Sequence, residues 1–440
     1  MTPRGMMPAQ RSELAEASLS TGPVGLEYPP DLQLVRRRPI SLVTTDDGTA
    51  LDWLMSGTAA SAGPAGLLDG VIARLVAAGQ PIERATLNMS TLHPQLVGIT
   101  AHWRGDLGVC DEVEVNAHVR ETTDYLTSPL RPIIEEGRSI RVNPQDSVAQ
   151  STYPIMQTLA EAGYTDYWGF ALKRDDRQFT LMTLATRQAG GFSRATIEAV
   201  EALRPALALN VEIVSRGKIA EHVLDAYLGR RIGKRVLAGD IRRGFGETIE
   251  AVIWVSDMRN FTSLSDRIAS AEMIRLLNAF FEGLVDAVHE QGGEVLKFVG
   301  DGMLAAFPIF GTQSAPAAAA AALAAARNGL AAVDSLNEAQ SGEPSRDLSW
   351  RPLSMGIALH RGPVFFGNIG SRDRLDFTAI GRTVNLAARI EPLSKTTGRR
   401  LLLSDRVAEL IEEPVEELGD FPIRGIPDPV SLFTVPEHGL

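Results

Sequence analysis

Two aspartates, Asp257 and Asp301, offer the plainest chemistry in this sequence. Asp257 closes the apolar, β-branched run AVIWVSD, and the stretch SDMRNFTSLSD that continues from it places a helix start at Thr262 or Ser263. Asp301 stands in the Gly-Asp-Gly turn of EVLKFVGDGMLAAF, whose two apolar runs read as a hairpin. If the first strand lies beside that hairpin, the carboxylates converge. Converging carboxylates repel unless cations lie between them, and hard oxygen donors suit magnesium. A helix N-terminus just beyond Asp257 would offer backbone N–H groups to phosphate oxygens. Together these features point to phosphoryl chemistry. Taken alone, each aspartate reads as a helix cap or a turn former.

A second polar set lies downstream. Asn385 and Arg389 in TVNLAAR are four residues apart and share a helix face, with Val384, Leu386 and Ala388 around them. Arginine is suited to spreading charge on a transferring phosphate; an exposed helix face with a salt bridge is the plainer alternative. Lys297 is out of place for another reason, since it interrupts the first apolar run of the hairpin. His360, in ALHRGPV, reads as structural at a strand end, and the seven histidines show no metal-ligand spacing.

The elements that must position these residues lie between about 246 and 440. SAEMIRLLNAFFEGLVDAVHEQGG predicts a helix whose stripe is Met273, Leu276, Leu277, Phe280, Phe281, Leu284 and Val288, ended by Gly292 and Gly293. After the hairpin comes an Ala-rich helix with Pro316 in its first turn, then strands LSMGIALH and VFFGNIG. TVNLAARIEPLS reads as helical up to about Ile390, followed by LLLS, a short helix and a last strand pair near FPIRG and VSLFTV. A β-α-α-β-β-α-β order of this kind implies an α+β sandwich with helices on the sheet.

The chain has 440 residues, which favours two domains over a single core. Hydrophobic content of 44% with 22% charged residues reads as globular, and a net charge of −11 argues against a nucleic-acid partner. Cys110 is the sole cysteine, which fits a reducing cytoplasm and excludes an intrachain disulfide. No stretch reads as a membrane span: the Ala-rich segment from Ala315 to Val333 is interrupted by Arg327 and Asn328. The N-terminus has no apolar core of signal-peptide length. Residues 1–40 read as a flexible arm. Residues 41–215 alternate helix, short strands and helix, beginning with GLLDGVIARLVAAG and ending with FSRATIEAVEALRPALALNVEIVSR, where Ser193 is a candidate N-cap and Pro205 a candidate kink. Residues 216–245 read as a helical linker with a seam of Ile219, Val223, Tyr227 and Leu228, able to pair with its twin.

Taken together, SDMRNFTSLSD, LKFVGDGMLAAF, GNIG and DFTAIGRTVNLAAR resemble, in order, the catalytic domain of class III nucleotidyl cyclases. The resemblance implies a ferredoxin-like core over residues 246–440. It makes Asp257 and Asp301 the metal-binding aspartates, with the Met258 carbonyl as a further ligand, for two divalent ions, Mg²⁺ or Mn²⁺. It implies that backbone from Arg259 through Phe261 to Thr262 touches the phosphates, that Asn385 orients the ribose, and that Arg389 stabilises the α-phosphate. Arg424, in PIRG, lies where the family often carries a triphosphate-binding lysine. Thr378 occupies the base-reading position where many adenylate cyclases have aspartate; threonine there resembles a bacterial subgroup. Lysine donates only, so Lys297 matches adenine N1 and mismatches guanine N1–H.

In this family the site lies between two chains, so the implied assembly is a head-to-tail homodimer with both sites at the interface. The expected activity is adenylate cyclase, converting ATP to cyclic AMP and pyrophosphate. Guanylate cyclase is the near alternative, and a catalytically silent dimeric sensor or scaffold is the alternative of another class. QGGEV lacks the acidic pair of a diguanylate cyclase signature. The front half resembles a GAF-type sensor, with PAS as the runner-up. The aromatic residues Trp53, Trp103, Trp168, Tyr125, Tyr153, Tyr164 and Tyr167 could line a pocket for a small-molecule effector or be ordinary core.

Overall fold

The computed structural model describes residues 28–174, 179–311, 313–341 and 352–436. The start of the expected N-terminal arm, residues 1–27, lies outside them. The chain divides into two compact units, residues 1–226 and 227–440.

The first unit is built on one antiparallel sheet. Its strands are β1 (Leu32–Pro39), β2 (Arg84–Ser90), β3 (Leu96–Arg104), β4 (Val109–Asn116), β5 (Ile140–Val142), β6 (Asp166–Arg174) and β7 (Phe179–Thr186), in the order β1-β4-β3-β2-β7-β6-β5. The expected arm of residues 1–40 is thus corrected: Leu32–Pro39 is a strand, paired with β4 from Leu32↔Val115 to Pro39↔Val109. Its three arginines hid it, and Arg37 is held by a bidentate pair with buried Asp111. Strand β2 explains the sheet's layering. Ala85, Leu87 and Met89 alternate onto one face, where α1 (Gly63–Ala77) and α4 (Arg194–Leu228) complete an apolar core. Thr86 and Asn88 alternate onto the other, over which α2 (Leu130–Glu136) and α3 (Ile155–Glu161) lie. Helix α4 is one 35-residue element, capped by Ser193 through the Thr196 N–H at 3.1 Å, and it continues through Pro205. The expected linker at 216 is therefore, as far as Leu228, the end of this helix. A break at Gly229 (φ 81°) then leads into α5 (Arg230–Leu237).

The second unit contains an eight-stranded sheet in the order β14-β15-β13-β11-β8-β10-β9, with β12 paired to β11. Its strands are β8 (Gly246–Met258), β9 (Glu294–Val299), β10 (Gly302–Ile309), β11 (Met355–Gly370), β12 (Leu375–Ile380), β13 (Leu401–Ser404), β14 (Glu416–Phe421) and β15 (Val430–Thr434). The two strands expected around His360 are one: β11 follows β8 without interruption from Met355↔Met258 to Gly367↔Gly246. His360 lies mid-strand, its Nδ1 2.8 Å from Ser404 Oγ, and burial pushes its pKa down to about 4. After α6 (Phe261–Ser265), α7 (Ser270–Glu290) and α8 (Ala315–Ser341) cover one face, burying Trp254, Phe280, Leu284, Phe307 and Leu323. Helix α8 is long and apolar enough to cross a membrane by length and composition, and half of that stretch is buried inside the domain. Its alanines let the backbones approach: a Cβ on Gly283 of α7 would lie 2.8 Å from Ala332 Cβ. The other face is covered by α9 (Arg382–Ile390) and β12, packing Ile253, Leu304, Phe366, Phe377 and Ala387 together.

Phe307 is wholly buried at the centre of the larger core. Phe307→Ala is expected to lower stability by about 3–5 kcal/mol through lost burial and an unfilled cavity, read as a fall in the urea midpoint.

Candidate active site

Asp257 and Asp301 do come together. In register, Asp257 on β8 faces Gly302 on β10 and Gly356 on β11. A side chain at Gly302 would come within 2.6 Å of the Ser256 carbonyl oxygen and 3.2 Å of Asp257 Oδ1. Glycine at 302 therefore leaves the Asp257 carboxylate room. Asp301 follows Gly300 (φ 63°) in the turn between β9 and β10. Burial first, and then the charge of Asp257, raise its pKa. That mutual repulsion is what a cation would relieve. Among the described residues no cluster of three or more His, Cys, Asp and Glu side chains could hold a metal. A hard cation here would have two carboxylates and would draw its remaining ligands from backbone, water and substrate, as magnesium commonly does.

Beyond Asp257 the chain turns sharply. Met258 is buried, Arg259 N–H donates to the Ser354 carbonyl at 2.7 Å, and Asn260 adopts φ 59° before α6 begins at Phe261. The helix thus starts one or two residues earlier than expected. The Phe261 side chain packs on the core, so only its backbone is available to a substrate. Thr262 lies on the first turn.

Glu391, which the sequence reading did not single out, stands behind the pair. It is 3% exposed and accepts from Ser394 Oγ at 3.2 Å. Burial, followed by the nearby Asp257 charge, pushes its pKa from 4.5 to about 7. A Cβ on Gly356 would sit 2.3 Å from both Glu391 Oε1 and Ser394 Oγ, so this glycine is required by close packing. The only sequence signal was a lone glutamate directly after an apolar helix face, which most often signifies a helix end.

The hairpin lysine is not buried. The side chain of Lys297 is 37% exposed and its Nζ lies 3.3 Å from Asp376 Oδ2 on β12. The expectation of a lysine inside an apolar strand is corrected because β9 is the sheet edge, with Phe298 and Val299 also exposed. Asp376, two residues before Thr378, was likewise missed; the alternation of DFTAI placed both on one side of a strand. Thr378 is buried and its hydroxyl has no hydrogen-bond partner among the described residues.

Asn385 and Arg389 share the exposed face of α9, while Thr383, Ala387 and Ile390 face the core. Arg389 Nη1 donates to the Arg424 carbonyl at 2.6 Å. Arg424 is exposed and lies in the turn after β14; of the expected last strand pair, VSLFT is a strand, while its partner, Glu416–Phe421, ends at the first residue of FPIRG. No hydrogen bond or ion pair among the described residues joins Asp257 or Asp301 to Lys297, Asn385 or Arg389. The charged neighbours acting on Asp301 are Asp257 and Lys395.

With this geometry in place, comparison with known proteins gives a specific answer. Residues 247–435 match the adenylate and guanylate cyclase catalytic domain. An adenylate cyclase of Anabaena cylindrica is 33% identical over 175 residues, 40% of this chain and 33% of that protein. An uncharacterized protein of Mycobacterium tuberculosis is 36% identical over 190 residues, 42% of this chain and 30% of that protein. The chain spans about a third of the length of these curated relatives. Among solved structures, the adenylyl cyclase CyaB from P. aeruginosa is 27% identical with a TM-score of 0.39, covering 44% of this chain and 96% of that one. The guanylyl cyclase Cya2 is 32% identical with a TM-score of 0.38, covering 44% and 95%. Residues 247–435 are thus similar in sequence to cyclase catalytic domains, and the second unit that contains them is a mixed α/β fold.

The Glu391 carboxyl gives the site a pH signature. Its folded pKa lies above its unfolded one, so the folded state loses stability as pH rises from the unfolded value through about 7. With metal chelated, Glu391→Gln should gain roughly 1–3 kcal/mol on the parent between pH 5 and pH 8. Melting curves at the two pH values would show it; a gap that stays constant would mean the carboxyl is ionised throughout.

Proposed function

We propose that the chain is an adenylate cyclase, converting ATP to 3′,5′-cyclic AMP and pyrophosphate by in-line attack of the ribose 3′-oxygen on the α-phosphorus. The observation that carries the adenine reading is Lys297, a donor-only side chain held at the edge of the cyclase domain by Asp376. Adenine offers an acceptor at N1 and a donor at N6. Lys297 answers the first, and the acceptors on β12 answer the second: the partnerless Thr378 hydroxyl, with Asp376 beside it. Guanine would set its N1–H donor against the lysine.

In this reading Asp257, Asp301 and the Met258 carbonyl hold two divalent ions, Mg²⁺ or Mn²⁺. When bound, such ions acidify the 3′-hydroxyl and neutralise the triphosphate. Backbone N–H groups from Asn260 to Thr262, Phe261 included, hold the phosphates, the Arg259 N–H being taken by the Ser354 carbonyl. Asn385 orients the ribose, Arg389 stabilises charge on the α-phosphate, and Arg424 binds the triphosphate. Arg389 is pre-positioned by its bond to the Arg424 carbonyl, which couples these two residues.

The active unit is a homodimer with sites at its interface. Each chain carries two half-sites: a carboxylate pair whose charged neighbours are Lys395 and Glu391, and a separate Lys297, Asn385 and Arg389 set. Head-to-tail pairing brings the first of one chain to the second of its twin. The first unit is a GAF-like sensor acting on the cyclase, in a cytoplasmic protein. Its antiparallel sheet with an apolar core on one face and a cavity on the other supports that reading.

Purified protein with Mn²⁺ or Mg²⁺ should form cyclic AMP from ATP at a higher rate than cyclic GMP from GTP; cyclic GMP as main product would favour the guanylate alternative. Asp257→Ala and Asn385→Ala should each lose at least about 10²-fold in rate. Mixed one to one, they should recover up to about a quarter of parental activity, because half the dimers carry one intact site. No recovery on mixing would refute shared sites.

A further inference from the structure

The polar face of the first unit's sheet contains a charge without a partner. Five strands align a row across it: Arg37 on β1, Asp111 on β4, His102 on β3, Thr86 on β2 and Thr183 on β7. Most of this face is satisfied internally. Asp111 takes both Arg37 nitrogens at 2.8 Å and the Tyr28 hydroxyl at 2.9 Å. Thr86 pairs with Thr183 at 2.8 Å, Asn88 donates to Thr86, and Thr100 donates to Asn88, both at 2.9 Å. Two groups are left over. Arg84, two residues before Thr86 on the same side of β2, has no hydrogen-bond or ion-pair partner among the described residues. The Nε2 of His102 is sealed from solvent and also lacks one.

Both residues line a cavity of about 520 Å³ between this face and the helices α2 and α3. That volume suits a small ligand. The charged groups around Arg84 do not neutralise it: Arg104 is a like charge, itself paired with Asp106 at 3.2 Å, and its other electrostatic neighbours are Tyr28, Tyr164 and Tyr167. Burial and Arg104 both lower the Arg84 pKa, which marks an uncompensated cation. Burial, and then Arg84, push His102 down to about 3, so it is neutral and adds no second charge. Across from the sheet the lining is largely apolar, with Val119, Leu130, Ile134 and Ile155; Val97 and Phe179 join it from β3 and β7, and the exposed Arg120 and Asp124 also line it.

We propose that this cavity binds a small organic carboxylate with an apolar body, its carboxylate gripped by Arg84 and its body lodged under α2 and α3. A guanidinium matches a carboxylate bidentately. Arg84 balances one negative charge; the other charged residues of the lining, Arg120 and Asp124, are exposed and of opposite sign, so together they add no net positive charge to meet the second charge of a phosphate dianion. The inference deepens the sensor reading of this unit by naming the ligand class. Its test reads binding rather than catalysis, so an inactive cyclase would leave it standing.

The test is thermal unfolding of the full chain with phenylacetate, indole-3-acetate, hexanoate and decanoate, each beside its primary amide, and with inorganic phosphate. At saturation at least one carboxylate should raise the Tm by a few degrees, about 2–4 °C, while its amide does not. Arg84→Met should abolish that shift, and without any probe it should melt at or above the parent, because it removes an unpaired charge from a partly buried site. The proposal is overturned if no carboxylate in the set shifts the parent, if amides or phosphate act as strongly as the acids, or if Arg84→Met retains the shift. It is equally overturned if Arg84→Met alone melts well below the parent, since Arg84 would then be a structural residue.

Discussion

Two carboxylates forced into one small space set the terms for the second unit. Asp257 ends the central strand, Asp301 tops the neighbouring hairpin, and burial together with the Asp257 charge raises the cost of ionising Asp301. Sheet and helices hold them there despite that cost. The register of β8 between β10 and β11 is fixed along most of its length by alternating buried side chains, Val252 and Trp254 on one face, Ala251 and Ile253 on the other. A slip of one residue would turn every one of them over. Gly302 then opens space beside Asp257, and on the other neighbouring strand Gly356 makes room for a third carboxyl, Glu391. Carboxyls gathered in this way oppose one another's ionisation, and a cation bound between Asp257 and Asp301 would relieve that opposition.

The other polar set lies on a different part of the same sheet. Strand β12 turns back along β11 and brings Asp376 to Lys297 across from the hairpin edge. Helix α9 follows directly, anchored by Ala387 and Ile390, so that Asn385 and Arg389 stand outward. The Lys297 ion pair is largely exposed and contributes little stability, about 0–1 kcal/mol. Its use is to hold the lysine extended at a surface. Exposed polar residues on a helix and an edge strand, backed by an apolar core, are what a surface waiting for a partner molecule requires.

These local patterns explain what could be read in the sequence. The helix stripe from Met273 to Val288, the hairpin turn at Asp301 and the shared face of Asn385 and Arg389 are short-range signals with one period each, and the structure has them where the spacing puts them. Properties set by distant partners were not legible. Whether Lys297 is buried depends on β9 being an edge, and the importance of Glu391 depends on Gly356 lying under it. Strand β1 was hidden for the same reason: three consecutive arginines look like a solvated arm until Asp111 is found on the next strand.

The front unit shows a subtler limit. In RATLNMS and ITAHWR polar residues alternate with apolar ones, the pattern of a strand with one wet face. Here the second face is covered too, so Thr86, Asn88 and Thr100 must satisfy one another and do. Aromatic content drew attention to the wrong face: Trp103 and Trp168 belong to the apolar core, and only Tyr125 and Tyr167 of the aromatic set reach the cavity. The informative residues were the polar ones at alternate positions. A covered polar face with a complete hydrogen-bond network is structural; a covered polar face with one arginine left over has been shaped around something the chain itself does not supply.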